Sequence, residues 1–234
     1  MKKVTRILSI AGVSGALLLS SCGSMTNLGK GAAIGGGAGA GVGAGIGALI
    51  GGGKGAGIGA AIGAAVGSGA GMLIGKKMDD QAKKLREIEN AKVEETTDQN
   101  GLKAIRVTFD GGILFPTNGT TLSAGARTDL SQFAATLQQN PETNVQIYGY
   151  TDNVGSLAAT QKVATGRADA VKAYLLNCGI AASRLTAEGL PMQNYIASNE
   201  TAEGRAQNRR VEIFISANEQ MIKQAEAEAA NQGR

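Results

Sequence analysis

The 234-residue chain has no Trp and no His, three Pro, two Cys, and eight aromatic residues, four Tyr and four Phe. Without His, neither a Ser-His-Asp triad nor a Cys-His pair can be assembled. Two cysteines, Cys22 and Cys178, do not suffice for a structural zinc site of the Cys/His kind. Hydrolytic and zinc-dependent chemistry therefore has almost nothing to work with, and the chain reads as a non-enzyme with no cofactor and no metal. So few bulky side chains also argue against two full cores at native packing density. One compact domain plus a segment of another kind is the expectation.

The formal charge of +4 and a pI near 9.1 suggest a basic protein. However, Lys2, Lys3 and Arg6 fall in the first few residues, and a chain cleaved after them carries only about +1. Nucleic acid is not an expected partner. Glycine is abundant but uneven: 21 of the 36 lie between Gly29 and Gly75.

Residues 1–22 read as a basic start, an apolar stretch from Ile7 to Leu19, and small residues before a Cys. This is the pattern of a secretory signal, too short to be read first as a spanning helix. Leu19-Ser20-Ser21-Cys22 resembles the bacterial lipobox, which implies a signal peptide over 1–21 and a lipidated N-terminus over 22–30, with acyl chains on Cys22. One acyl chain holds a protein marginally and two or more hold it firmly, at ~0.8 kcal/mol per buried CH₂. The same resemblance implies a diderm bacterium, and Gly23 after the Cys resembles lipoproteins passed on to the outer membrane, with outer-membrane lipid as partner and the domain facing the periplasm. Acylated Cys22 leaves Cys178 without an intramolecular partner. Cys178 reads as a small buried apolar residue at a helix end, with Gly179 at the C′ position.

Between Gly31 and Gly75, glycine recurs at every fourth position without a miss, and Ile34, Val42, Ile46, Ile58, Ile62 and Ile74 belong to a second four-residue register. A flexible linker has no reason for such periodicity. The segment fits a helical hairpin with arms Gly31–Ile50 and Gly55–Ile74, each about 30 Å long at 1.5 Å per residue. Gly51 to Lys54 forms the turn, and Lys30, Lys54, Lys76 and Lys77 fall at the ends. A period of four drifts about 40° per repeat against 3.6 and favours a right-handed crossing. The segment 31–75 resembles the glycine zippers of bacterial envelope proteins, which implies membrane insertion or self-association.

Residues 76–101 read as a polar helical connector, with Met78, Ala82, Leu85 and Ile88 at helical spacing, and 218–234 as a frayed polar helical tail. Between them, 102–217 has the composition of an ordinary domain. Ile105–Phe109 alternates as a strand, Asp110-Gly111-Gly112 reads as a hairpin turn, and Ile113–Phe115 as a second strand piece. Ser123 caps a helix to about Gln139, and Val145–Tyr150 is a strand. A helix follows over about Leu157–Asn177, then a short strand at Arg184–Glu188, a short helix near Ala202–Gln207 and the strand Val211–Ile215. Together these predict an α/β sandwich with helices on a mixed sheet.

Within the domain, Gly149-Tyr150-Thr151-Asp152-Asn153-Val154-Gly155-Ser156, Arg167-Ala168-Asp169-Ala170-Val171, Gly179-Ile180 to Arg184-Leu185, and Asn199 through Asn208-Arg209-Arg210-Val211-Glu212 resemble the OmpA-like peptidoglycan-binding domain. Lipobox, glycine repeat and domain in succession resemble outer-membrane lipoproteins with a glycine zipper. The resemblance implies an OmpA C-terminal-like fold and, as ligand, the diaminopimelate of the peptidoglycan stem peptide. Its free end presents an ammonium beside a carboxylate, so a site needs an anion for one and a fork of donors for the other. Asp152 and Arg167 match the family's pair for those roles, with Thr151, Arg209 and Asn118 as further members. The chain departs from the family pattern at Pro116, at Thr160, Val163 and Ala164 ahead of the arginine, and at Pro191 and Tyr195. The implied function is a tether between outer membrane and cell wall. The alternative is a structural oligomer assembled by the glycine zipper, with peptidoglycan binding secondary.

Overall fold

The computed structural model describes residues 69–116 and 119–232. The expected signal peptide, Cys22, the glycine hairpin as far as residue 68 and Asn118 lie outside the described residues. The elements in chain order are α1 (Gly69–Leu85), β1 (Ala91–Thr97), β2 (Lys103–Asp110), α2 (Gly111–Leu114), α3 (Ala124–Gln139), β3 (Thr143–Tyr150), α4 (Leu157–Asn177), β4 (Leu185–Leu190), α5 (Ala202–Asn208), β5 (Arg210–Ala217) and α6 (Glu219–Gln232).

The strands form one sheet in the order β1-β2-β5-β3-β4. Only β3 and β4 pair in parallel, joined by α4 as the crossover that a parallel pair requires. The expected mixed α/β sandwich is what is found. Alternation sends Ile105, Val107 and Phe109 of β2, Val145 and Ile147 of β3, and Val211, Ile213 and Ile215 of β5 to one face, where the helices cover them. The opposite face carries a smaller buried cluster of Ala104, Tyr148, Tyr150, Leu190 and Phe214.

Two helix starts are set by serine caps, Ser123 Oγ accepting from Ala126 N at 3.0 Å and Ser156 Oγ from Ala159 N at 3.3 Å. At the far end of α4, Gly179 takes φ +85°, a left-handed value that favours glycine, and Cys178 is a half-buried free thiol against the core. Arg184, just before β4, donates to the carbonyls of Leu137, Asn140 and Thr143 at 3.1, 2.8 and 2.8 Å, joining the exposed carbonyl end of α3 to the start of β3.

Four expectations are corrected. The hairpin turn at Asp110-Gly111-Gly112 and the strand piece at Ile113–Phe115 are instead the short helix α2, because Asp110 acts as its N-cap, Oδ1 accepting from Gly112 N at 2.6 Å. Asp-Gly carries both a turn signal and a cap signal, and β2 finds its neighbours in β1 and β5 rather than in a hairpin return.

The polar connector 76–101 is helical only to Leu85. It then supplies β1, an edge strand antiparallel to β2 from Ala91↔Phe109 to Thr97↔Lys103. The tight turn between them is closed by Asp98 Oδ1, which accepts from Asn100 N and Leu102 N. Burial pushes the Asp98 carboxyl above its ordinary range, against those two bonds.

The end of the glycine repeat is likewise not a separate arm. Gly69 to Gly75 form the first turns of α1, and Ala70 and Ile74 are fully buried in line with Met78, Ala82 and Leu85. Finally, the tail is not a frayed helix: α6 buries Met221, Ile222 and Ala225 and packs on α1, where a Cβ at Gly69 would stand 3.4 Å from that of Ala229. Among the described residues no helix is long and apolar enough to cross a membrane.

Candidate functional site

The site residues gather at the end of the sheet where β2 and β3 finish and β5 begins. Close helix-to-sheet packing puts them there. A Cβ at Gly149 would stand 2.2 Å from Ala164 O, and one at Gly189 2.3 Å from Thr165 N, so α4 rests directly on the backbones of β3 and β4. Thr160, also buried, turns its hydroxyl back onto the carbonyls of Ser156 and Leu157.

Arg167 projects from α4 and is buried. Its Nε donates to Gly119 O at 3.1 Å and its guanidinium lies 5.2 Å from the centre of the Phe115 ring. Burial lowers its pKa, with the charge of Arg209 acting in the same direction and Asp152 opposing both. Asp152 follows β3 directly. One oxygen accepts from Val154 N at 3.0 Å and the other from Arg209 Nη1 at 2.7 Å. The buried carboxylate is thus oriented by its own loop and neutralises one of two neighbouring guanidinium groups.

The adjacent arginines divide. The Arg209 side chain is 42 % exposed and turned to Asp152, whereas that of Arg210 is 3 % exposed, bonded to Glu212 at 2.7 Å and stacked 3.9 Å over the Tyr150 ring. Burial raises the Tyr150 hydroxyl well above its usual range, with Glu212 adding to the effect. Thr151 is buried, and its Oγ1 accepts from Met192 N at 3.1 Å, tying the Asp152 loop to the chain after β4. The structure therefore brings Asp152, Arg167 and Arg209 together and places Thr151 just behind them; Asn118, next to Gly119, lies outside the described residues.

Two neighbours were not singled out from sequence. Gly111 donates from its backbone N to Arg209 O at 2.8 Å, and a Cβ there would stand 2.3 Å from that same oxygen and 3.3 Å from Arg167 Nη1. Phe115 forms the apolar wall beside Arg167. The Asp-Gly-Gly cap was the one available signal for Gly111; nothing local marks Phe115. One carboxylate between two guanidinium groups leaves an excess positive charge, so the arrangement can take a ligand carboxylate on the arginines while Asp152 faces a ligand cation.

The stretch that holds this charged centre is similar to OmpA-type domains. Residues 114–209 match the model of the OmpA family, and residues 1–79 match that of the YMGG-like Gly-zipper. The chain is similar to the probable lipoprotein YiaD of Escherichia coli, 40 % identical over 136 residues that cover 56 % of this chain and 62 % of YiaD. It is also similar to the peptidoglycan-binding protein ArfA of Mycobacterium tuberculosis, 40 % identical over 113 residues, 48 % of this chain and 35 % of ArfA. The chain thus spans less than two thirds of either relative. Among solved structures, a MotB-like protein from Desulfovibrio vulgaris superposes with a TM-score of 0.54 at 27 % identity, covering 63 % of this chain and 94 % of that one.

Proposed function

We propose that the protein is a non-catalytic tether of the bacterial envelope, whose domain binds peptidoglycan through the diaminopimelate of the stem peptide. Asp152 faces the ligand ammonium, and Arg167 and Arg209 take its carboxylate. The observation that carries this reading is the convergence of that buried carboxylate and the two guanidinium groups at one end of the sheet, an arrangement matched in charge to a zwitterionic amino-acid end. The similarity to ArfA, whose name states peptidoglycan binding, supports it. In the same reading Cys22 is acylated in the outer membrane, the glycine repeat lies in or on that membrane, and the domain faces the periplasm.

The test is co-sedimentation of the full chain, held in mild detergent, with purified peptidoglycan. The parent pellets and is released by free diaminopimelate, whereas Asp152→Ala and Arg167→Ala stay in the supernatant because each leaves one ligand charge uncompensated. Unchanged pelleting of both variants overturns the proposal. The match of residues 1–79 to a glycine-zipper model favours a second role, self-association through the repeat. In that case Gly43→Leu or Gly63→Leu abolishes a cross-linked oligomer and leaves peptidoglycan binding intact.

A further inference from the structure

The apolar register of the glycine repeat runs on into the domain. Ile58, Ile62, Val66, Ala70 and Ile74 continue at the same four-residue spacing to Met78, and the match to the glycine-zipper model reaches residue 79. From Ala70 inward that register is the buried side of α1.

The helix packed along those first turns is α6, running antiparallel to α1. At their inner ends both helices are bonded to Glu142, whose carboxylate takes Lys77 Nζ at 3.2 Å and whose carbonyl accepts from Asn218 N at 3.0 Å. At their outer ends a Cβ on Gly69 would stand 3.4 Å from that of Ala229. Along α6, Met221, Ala225 and the partly buried Ala229 repeat the four-residue spacing of Ala70, Ile74 and Met78, and all belong to or pack against one apolar cluster. Both helices lie outside residues 114–209, the stretch that matches the OmpA model, so the segments added at its two ends pair with each other. The other side of α6 is polar: Glu219, Gln220, Lys223, Gln224 and Glu228 are exposed.

A second copy of the repeat has no such polar side, since Gly55 to Ile74 contains no ionisable residue. Paired on α1, it would offer the next copy the same uncharged surface, and contacts that do not close on themselves grow into open assemblies. A partner with a polar outer face ends growth, as the terminal units of stacked repeats do. A segment of the same chain also meets its site at an effective concentration of roughly millimolar, whereas a second copy must arrive by diffusion.

We propose that α6 is an intramolecular cap on the glycine repeat. It takes the register from Ala70 to Met78 that a second copy would otherwise occupy, and so confines self-association to the repeat ahead of Gly69. This rests on the self-association proposed above, and the experiment separates the two.

The full chain, carrying Cys22→Ser and Cys178→Ser, is held in mild detergent and its protein mass per particle is read by sedimentation velocity. A chain ended at Asn218 is expected to form particles heavier by roughly 2-fold or more, the smallest step by which paired copies add a further pair. Ala225→Leu, which overfills the contact between α6 and α1, moves the mass the same way. Adding Gly69→Cys and Ala229→Cys, whose Cβ atoms stand close to the ~3.5–4.5 Å that a disulfide spans, makes the change reversible. With that link oxidised the Ala225→Leu chain returns to the mass of the parent, and with it reduced the chain grows again. Near-UV circular dichroism separates assembly of folded chains from aggregation, and where the shortened chain loses that signal the reversible link decides. Unchanged mass on losing or displacing α6 overturns the proposal, as does growth that persists with the link closed. If neither parent nor shortened chain forms an assembly that Gly43→Leu disperses, self-association through the repeat is itself refuted, an outcome distinct from these.

Discussion

The end of the glycine repeat is part of the domain's core, and Ile74→Ala puts that to a quantitative test. Ile74 is fully buried on α1 among Met78 and Leu85, so truncation removes three side-chain carbons and leaves a cavity. Ile→Ala at such a site costs about 2–5 kcal/mol, while the better helix propensity of Ala returns about 0.4 kcal/mol. A net loss of about 3 kcal/mol corresponds to a fall in Tm of roughly 6–12 °C for a domain of this size. The assay needs a signal from the domain alone. Near-UV circular dichroism provides it, because the first aromatic residue of the chain is Phe109 and every aromatic lies in the domain. The buried Tyr148 and Tyr150 dominate that signal. Met72→Ala, two positions earlier but exposed, is the control and changes stability by less than about 0.5 kcal/mol. If Ile74→Ala is as mild as the control, α1 is not held in the core, and the repeat ends where its period ends.

Three further outcomes follow from the same contacts. Arg184→Ala frees three carbonyls between α3 and β3 and lowers the urea midpoint, by an amount equivalent to about 2–4 kcal/mol, with an unchanged m-value. Arg210→Ala strands the buried Glu212 carboxylate and costs about 3–5 kcal/mol in chemical denaturation, whereas Arg209→Ala removes a half-exposed partner, leaves the urea midpoint nearly unmoved and weakens peptidoglycan pelleting. Hydrogen bonds from Arg86 and Lys103 hold the Glu95 carboxyl below its ordinary value of 4.5. The folded form thus binds its proton less readily than the unfolded chain. The stability this contributes is complete above that ordinary value and is lost as pH falls through the lowered one. Glu95→Gln removes that contribution, so it lowers the neutral plateau and flattens the acid limb of a stability-versus-pH curve.

The elements legible in the sequence are those with a regular apolar pattern or a cap signal at the start. Ile105–Phe109 and Val211–Ile215 announce strands by alternation, and Ser123 sits where a cap is needed. What escaped reading is what tertiary contact decides. β1, with Lys92, Glu94 and Glu95, resembles a charged helix because an edge strand packs little more than Ala91 and Val93 against the core. The α6 helix, rich in Ala, Glu and Gln, lacks the large side chains of an obvious core helix, yet its alanines let it approach the small residues of α1 closely. The pairing of Asp152 with Arg167 at one end of the sheet was legible through the spacing of their motif, whereas the crowding at Gly111 arises only because the chain around Arg209 returns to within a bond length or two of where a side chain would stand.

The path of α1 has a mechanical consequence. Lys77 pairs with Glu142 just before β3, and Gly75 lies beside Lys103 at the start of β2, while Asp152 and Gly111 follow the far ends of those strands. The chain from the repeat thus enters the domain at one pole and the charged centre sits at the other, separated by the length of an eight-residue strand, roughly 26 Å. A pull between the two poles runs along α1 and the strands rather than across them. It loads the row from Ala70 to Leu85 in shear, where the contacts share the strain together, instead of peeling them apart one at a time. With α1 continuous from Gly69 into the core, displacement at the pole where it enters is delivered directly to the charged centre at the other.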